Sequence, residues 1–83
     1  MRFTVTCPPE LQDKLADIWL DAADRQAVSN ASNQFDAILV SSPLAYGQDF
    51  GSFRTLSIGP LTVVYRVSQD DCQVAILDYY YDG

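Results

Sequence analysis

Few side chains in this sequence could do chemistry, and they are widely spread. Five cations, Arg2, Lys14, Arg25, Arg54 and Arg66, face eleven carboxylates, and there is no histidine. Without an imidazole the chain cannot assemble a Ser-His-Asp or Cys-His nucleophile, nor the commonest zinc ligand sets. Cys7 and Cys72 are too few to hold zinc by themselves, and both sit in apolar-alternating stretches that suit buried, reduced thiols. No metal and no cofactor is therefore expected. Arg54 is the single candidate for a catalytic or anion-contacting role, because a guanidinium can stabilise developing negative charge. The plainer alternative is a strand-end arginine that snorkels or pairs with an Asp. Arg66 and the run Tyr79-Tyr80-Tyr81 are candidates for partner contact, since arginine and tyrosine are enriched at interface hot spots. Against that stand a cross-strand pair of Arg66 with Asp78, and tyrosines divided between core and surface.

Asp13, Asp17, Asp21 and Asp24 recur at spacings of four, four and three. Such a row is a solvated helix face or a contact for a basic partner; one helix row cannot wrap a calcium ion with six or more oxygens. The loop from Gly47 to Gly51 matches no phosphate-cradling motif. The formal charge of −6 opposes broad phosphate contact, so direct nucleic-acid binding is not expected, and it weakens any attraction to anionic membranes. The N-terminal residues Met1 to Cys7 lack the apolar run of a signal peptide, and nothing approaches a membrane span, which points to the cytoplasm.

The elements that must position these residues follow from periodicity. With 83 residues there is room for one domain, spanning 1–83. Residues 2–7 alternate, with Phe3, Val5 and Cys7 on one side, which predicts a half-buried strand. Pro8-Pro9 ends it and opens a helix over roughly 9–22, with Leu11, Leu15, Ile18 and Ala22 as its apolar stripe. Trp19, in the same stripe region as Leu15, is expected in the core. A second helix starts near Asp24, carries Val28, Ala31, Phe35 and Ile38, and stops at Ser41-Ser42-Pro43. Residues 43–52 read as a loop. Three β-rich stretches follow, 53–58, 61–67 and 72–80, separated by Gly59-Pro60 and by Ser68-Gln69-Asp70-Asp71.

The order β-α-α-β-β-β predicts an α+β protein in which a helical hairpin packs on one face of a four-stranded antiparallel sheet. Counting directions makes the first strand antiparallel to the second. A two-residue Gly59-Pro60 turn sets Arg54 opposite Tyr65, Leu56 opposite Val63 and Ile58 opposite Leu61. A one-residue bulge there would move Arg54 or Arg66 to the other face. One helix–sheet core of this size gives a stability of about 5 kcal/mol unless a partner covers the open face. If the C-terminal strand lies at the sheet edge, it offers unpaired backbone and three tyrosines to another chain.

This order, with the stretch from Phe53 to Val67 and the following Val74-Ala75-Ile76-Leu77-Asp78, resembles the RelE/ParE superfamily of bacterial toxins. In that family an aromatic-basic-x-apolar strand leads through a Gly turn into a strand ending Val-Tyr-x-Val. Phe53-Arg54 and Val64-Tyr65-Arg66-Val67 stand in those places. The resemblance implies a cytoplasmic toxin whose sheet and helices are wrapped by a cognate antitoxin. RelE-like members cut mRNA on the ribosome with several basic groups and a C-terminal tyrosine, whereas ParE-like members lack that set and inhibit DNA gyrase. Of the RNase residues Arg54 matches one. Leu56 and Thr62 stand where basic groups are expected, and the C-terminal Arg and Tyr find no counterpart before Tyr81-Asp82-Gly83.

The resemblance thus implies a toxin component that acts by binding protein, in the ParE manner, or one that has lost toxicity. The alternatives are a small interaction domain that dimerises through its C-terminal strand, and a ribosome-dependent endoribonuclease centred on Arg54.

Overall fold

A computed structural model describes residues 2–81 of the chain. Strand β1 (Thr4–Thr6) is followed by helices α1 (Pro9–Asp21) and α2 (Arg25–Ser41). Four strands complete the fold: β2 (Gln48–Asp49), β3 (Arg54–Ile58), β4 (Leu61–Ser68) and β5 (Gln73–Tyr81). Pro9 occupies the first turn of α1, where a missing N–H costs nothing. Asp24 caps α2, its carboxylate accepting from the Ala27 N–H at 3.1 Å. At the other end the Ser42 N–H donates to the Ile38 carbonyl at 2.7 Å, and Pro43 follows. Asp82 and Gly83, on which the comparison of C-terminal tails partly rests, lie outside the described residues.

The α+β class and the helix pair are as the pattern predicts, but the sheet differs in two linked ways. It has five strands in the order β1-β5-β4-β3-β2, and it is mixed, because β1 pairs with β5 in parallel. The added strand is β2, two residues inside the expected loop, antiparallel to β3. One extra reversal flips every later strand, so β5 ends up running with β1 instead of against it. The same reversal makes β1 and β3 point the same way. β5 is also not an edge strand along its first third: Gln73, Val74 and Ala75 lie between β1 and β4.

The β3–β4 register is the one a two-residue turn dictates, with Arg54 opposite Tyr65, Leu56 opposite Val63 and Ile58 opposite Leu61. Gly59 supplies the turn's positive φ of 59°. A bulge does occur, but between β4 and β5, where Val64 pairs with Asp78 and Tyr65 with Ile76, leaving Leu77 without an opposite residue. Its effect is visible in the burial of β5. Val74 and Ile76 are buried, then the inward set shifts by one residue to Tyr79.

Val28, Ala31, Phe35 and Leu39 of α2 form a buried stripe on the sheet face made by Leu56, Leu61, Val63, Tyr65, Val74, Ile76 and Tyr79. Helix α1 behaves differently. None of its residues is fully buried, and Leu11, Leu15 and Ile18 only flank the core. Trp19, expected in the core, is 38% exposed. The reason is geometric. The stripe Leu11, Leu15, Ile18 meets the sheet margin, and Trp19 falls on the side of α1 that faces α2.

Candidate functional site

Arg54 starts β3 on the helix-side face and reaches the loop between α2 and β2. One guanidinium nitrogen donates to the Leu44 and Tyr46 carbonyls at 3.3 and 3.1 Å, and another lies 3.6 Å from the Asp49 carboxylate. Its side chain is only 16% exposed, and its Nε is buried with no acceptor among the described residues. Beside it the buried Tyr65 hydroxyl donates to the Pro43 carbonyl at 2.8 Å, with the Tyr46 carbonyl at 3.3 Å as the longer contact. Arg54 and Tyr65, opposite each other in the sheet, thus fasten one loop. That loop presents Leu44, Tyr46, Phe50 and Phe53 to solvent, the two phenylalanine rings stacked with centroids 5.2 Å apart.

Arg66 lies on the other face of the sheet, which carries no helix, and it is exposed. It is opposite Ala75, so the cross-strand pair with Asp78 does not form. Lys14 takes that carboxylate at 2.6 Å and sits 5.1 Å from the Tyr80 ring centre. The hydrogen bond from Lys14, more than any other contact, holds the Asp78 carboxyl below its ordinary range. Asp78 is thereby a group whose contribution is present above about pH 3.9 and fades as pH falls through its lower folded value. Both side chains are well exposed, so the pair contributes less than about 1 kcal/mol.

The three tyrosines separate. Tyr80 is 54% exposed, Tyr81 is half-buried, and Tyr79 is buried at 5% beside Cys7. Tyr79 therefore belongs to the floor of a groove and not to an exposed aromatic row. That groove, about 570 Å³, lies between α1 and α2. Val5, Cys7, Ile76 and Tyr79 form its floor, Leu15, Ala16 and Trp19 one wall, and Ser29, Ser32, Asn33 and Asp36 the other. The Trp19 indole N–H donates to the Ser29 hydroxyl at 2.9 Å and bridges the two helices at one end. Sequence reading missed this groove, although a signal existed. Ser29, Ser32, Asn33 and Asp36 follow at i, i+3, i+4 and i+7, a row of short polar side chains facing another helix, which leaves space where larger ones would interlock.

The groove floor is electrostatically coherent. Burial first, then the neighbouring Cys7 and Asp36, push the Tyr79 hydroxyl far above the usual phenol range. Burial likewise leads in raising the Cys7 thiol. Both groups stay neutral while Asp36, which has no ion-pair partner among the described residues, supplies a negative charge. A tyrosine whose folded pKa is raised stabilises the fold below its unfolded value, near 10, and loses that contribution as pH climbs. Unfolding free energy should accordingly fall above about pH 10, with a shallower slope in Tyr79→Phe. Parallel urea titrations of both proteins at stepped alkaline pH measure this, and equal slopes would remove Tyr79 as the cause.

No group of three or more potential metal ligands occurs among the described residues, and no described helix is long and apolar enough to cross a membrane. The Cys7 thiol is free. Neither a protein-family model nor a curated protein matches the sequence. Solved structures do match in shape. A chain of the toxin–antitoxin complex RelBE2 from Mycobacterium tuberculosis superposes with a TM-score of 0.77 at 16% identity, covering 98% of this chain and 99% of that one. This is the RelE fold. A chain of the archaeal RelE–RelB complex from Pyrococcus horikoshii agrees, with a TM-score of 0.67, 20% identity and coverage of 100% and 98%. The RelE-like arrangement, helical hairpin on one sheet face and the other face open, thus extends over the whole chain despite low identity.

Proposed function

We propose that this protein is the RelE/ParE-like component of a toxin–antitoxin module, working in the cytoplasm by binding proteins and not by cutting RNA. The observation that carries the second half is the employment of Arg54. One of its terminal nitrogens donates to both the Leu44 and Tyr46 carbonyls and the other lies near Asp49, so the one basic position matching the RNase pattern acts as a loop clamp. Lys14 and Arg25 are engaged too, the first with Asp78 and Tyr80, the second with the Leu20 carbonyl and the Trp19 ring. Arg66 alone of these four stands on the open sheet face. In-line RNA cleavage without histidine needs several positioned cations around one phosphate, and a −6 protein opposes docking on ribosomal RNA. The first half is supported by the whole-chain likeness to chains of two toxin–antitoxin complexes.

Controlled expression in a bacterial host tests both halves. Growth should slow when the chain is expressed alone and recover when the adjacent open reading frame is co-expressed, and mRNA should stay intact in a ribosome-containing translation mix. Growth unaffected by the chain would sink the toxin reading. Cleavage abolished by Arg54→Ala would replace protein binding with endonuclease action.

A further inference from the structure

We infer that the groove between α1 and α2 is a small-molecule site for an arylalkylamine, with the ligand's aromatic ring at the Trp19 end and its protonated amine on the Asp36 carboxylate. The site is independent of the protein-binding reading above, and its test needs no growth phenotype. Size comes first. At about 570 Å³ the groove falls within the roughly 300–1,000 Å³ of small-molecule pockets, and it has their composition, an apolar floor with a few polar groups along one wall. The outer side of β1 and the end of β5 beyond Ala75 are open sheet edges. A strand added there would lie in the plane of the sheet, beneath the trough and not in it.

The groove has two chemically distinct ends, and α2 sets the distance between them. Ser29 stands at one end, and Asp36 is seven residues further along the helix, about 10 Å away at 1.5 Å per residue. At the Ser29 end the Trp19 ring is already fixed. Its indole N–H donates to the Ser29 hydroxyl at 2.9 Å, and the Arg25 guanidinium lies 5.0 Å from its ring centre. That end is therefore aromatic, closed by the bridge and flanked by a positive charge, so a ligand's cation belongs at the other.

The other end offers what a cation needs. Asp36 is the sole charged residue lining the groove, exposed at its mouth, with no hydrogen-bond or ion-pair partner among the described residues. Its charge is felt by the Cys7 thiol and the Tyr79 hydroxyl, which puts it next to the floor. Both of those groups are neutral, so neither competes for an ammonium nor repels one. The carboxylate supplies a charge-assisted hydrogen bond and the Tyr79 ring a face that attracts cations. Between the ends, Val5, Leu15 and Ile76 offer apolar surface to the ligand's ring and linker. An indole or naphthyl ring joined to an amine by two carbons fits this order of groups. An anionic ligand meets Asp36 as like charge, and a neutral one leaves it unused.

The test uses the intact, ¹⁵N-labelled chain and three probes that share one ring: tryptamine, its alcohol analogue tryptophol, and indole-3-acetate. Trp19 is the single tryptophan, so its indole N–H gives one cross-peak in the protein spectrum. Tryptamine should shift that peak and the amides of residues 29–36 saturably, with a dissociation constant on the order of 0.1 mM. Tryptophol should bind about fivefold weaker or worse, and indole-3-acetate should not bind. Asp36→Asn should reduce tryptamine to the tryptophol level, and Ala16→Phe, which fills the trough from α1, should abolish both. Asp70→Asn, on the exposed turn between β4 and β5, should change nothing. Circular dichroism confirms that each variant is folded, and Ala16→Leu replaces Ala16→Phe if the ring is not accommodated. Tryptamine binding that ignores the filling variant, or falls equally in Asp36→Asn and Asp70→Asn, is general attraction of a cation to an acidic protein and overturns the proposal. Tryptophol binding as tight as tryptamine overturns the amine contact, and no saturable binding by any probe overturns the site.

Discussion

Replacing Phe35 with alanine should leave the chain largely unfolded at room temperature. Phe35 is 2% exposed and sits in the middle of α2, the one helix among the described residues that buries side chains fully, between Ala31 and Leu39 and over the sheet. Removing a buried phenyl ring costs about 3–5 kcal/mol, the lost transfer energy plus a cavity that the surroundings fill only in part. Small domains keep about 0.05–0.15 kcal/mol per residue in total, and one of this length lies near the low end because it buries a smaller share of its surface. Loss and reserve are thus of similar size. Helix α1 cannot compensate, since it touches the core only through half-buried side chains. Urea titration followed by far-ultraviolet circular dichroism measures the effect, with Leu20→Ala, at 56% exposure, as the control expected to stay within about 0.5 kcal/mol of wild type. A Phe35→Ala midpoint close to wild type would show that the core does not depend on the α2 stripe.

That stripe was legible in the sequence, and so was the β3–β4 hairpin. Apolar residues at three-four spacing specify one helix face, and a two-residue turn leaves a single register, so Arg54 had to fall opposite Tyr65. Strand β2 was not legible, because Gln48 and Asp49 are two polar residues with no period to read. It is held by tertiary contacts that bind the preceding loop: the Arg54 guanidinium, the Tyr65 hydroxyl and the close approach of Gly47 to β3. From that omission the wrong strand directions followed, since parity in a meander depends on every strand being counted. The bulge at Leu77 hid the burial of Tyr79 in the same way. Simple alternation from Val74 and Ile76 would turn Tyr79 outward with its neighbours' opposite parity, and only the skipped residue brings it in.

The groove was hidden for a different reason. Propensity treats Ser29, Ser32 and Asn33 as weak helix formers that packing must overcome, whereas their small volume is what matters. The acidic surplus acquires a location in the structure as well. Lys14, Arg25 and Arg54 each have a structural task, so carboxylates such as Asp13, Asp17, Asp21 and Asp36 are left without local neutralisation. What composition presents as a net charge is, in the folded chain, carried largely by exposed carboxylates on α1, with Asp36 of α2 at the groove.

Gly47→Ala should destabilise the protein by about 2–5 kcal/mol and free the loop before β3. Gly47 has φ of 82°, a conformation that side chains rarely adopt, and a Cβ there would lie 2.4 Å from the Thr55 carbonyl oxygen and 3.1 Å from the Tyr65 hydroxyl. The carbonyl cannot swing aside, because Thr55 is paired with Gln48 on one side and Val64 on the other. The loop must move instead, and with it go the Tyr65 bond to Pro43 and the Arg54 bonds to Leu44 and Tyr46. Gly51 separates strain from clash. Its φ of 94° is as demanding, yet a Cβ there meets nothing within 4 Å, so Gly51→Ala should show the conformational cost alone, about 1–2 kcal/mol. The excess of Gly47→Ala over Gly51→Ala is then the price of close packing between loop and sheet. Hydrogen exchange gives the local readout: amides of residues 44–50 should lose protection in Gly47→Ala while those of β4 keep theirs relative to its lowered global stability. Equal losses in the two alanine variants, with the loop still protected, would mean that the Arg54–Tyr65 clamp holds the loop without the close approach at Gly47.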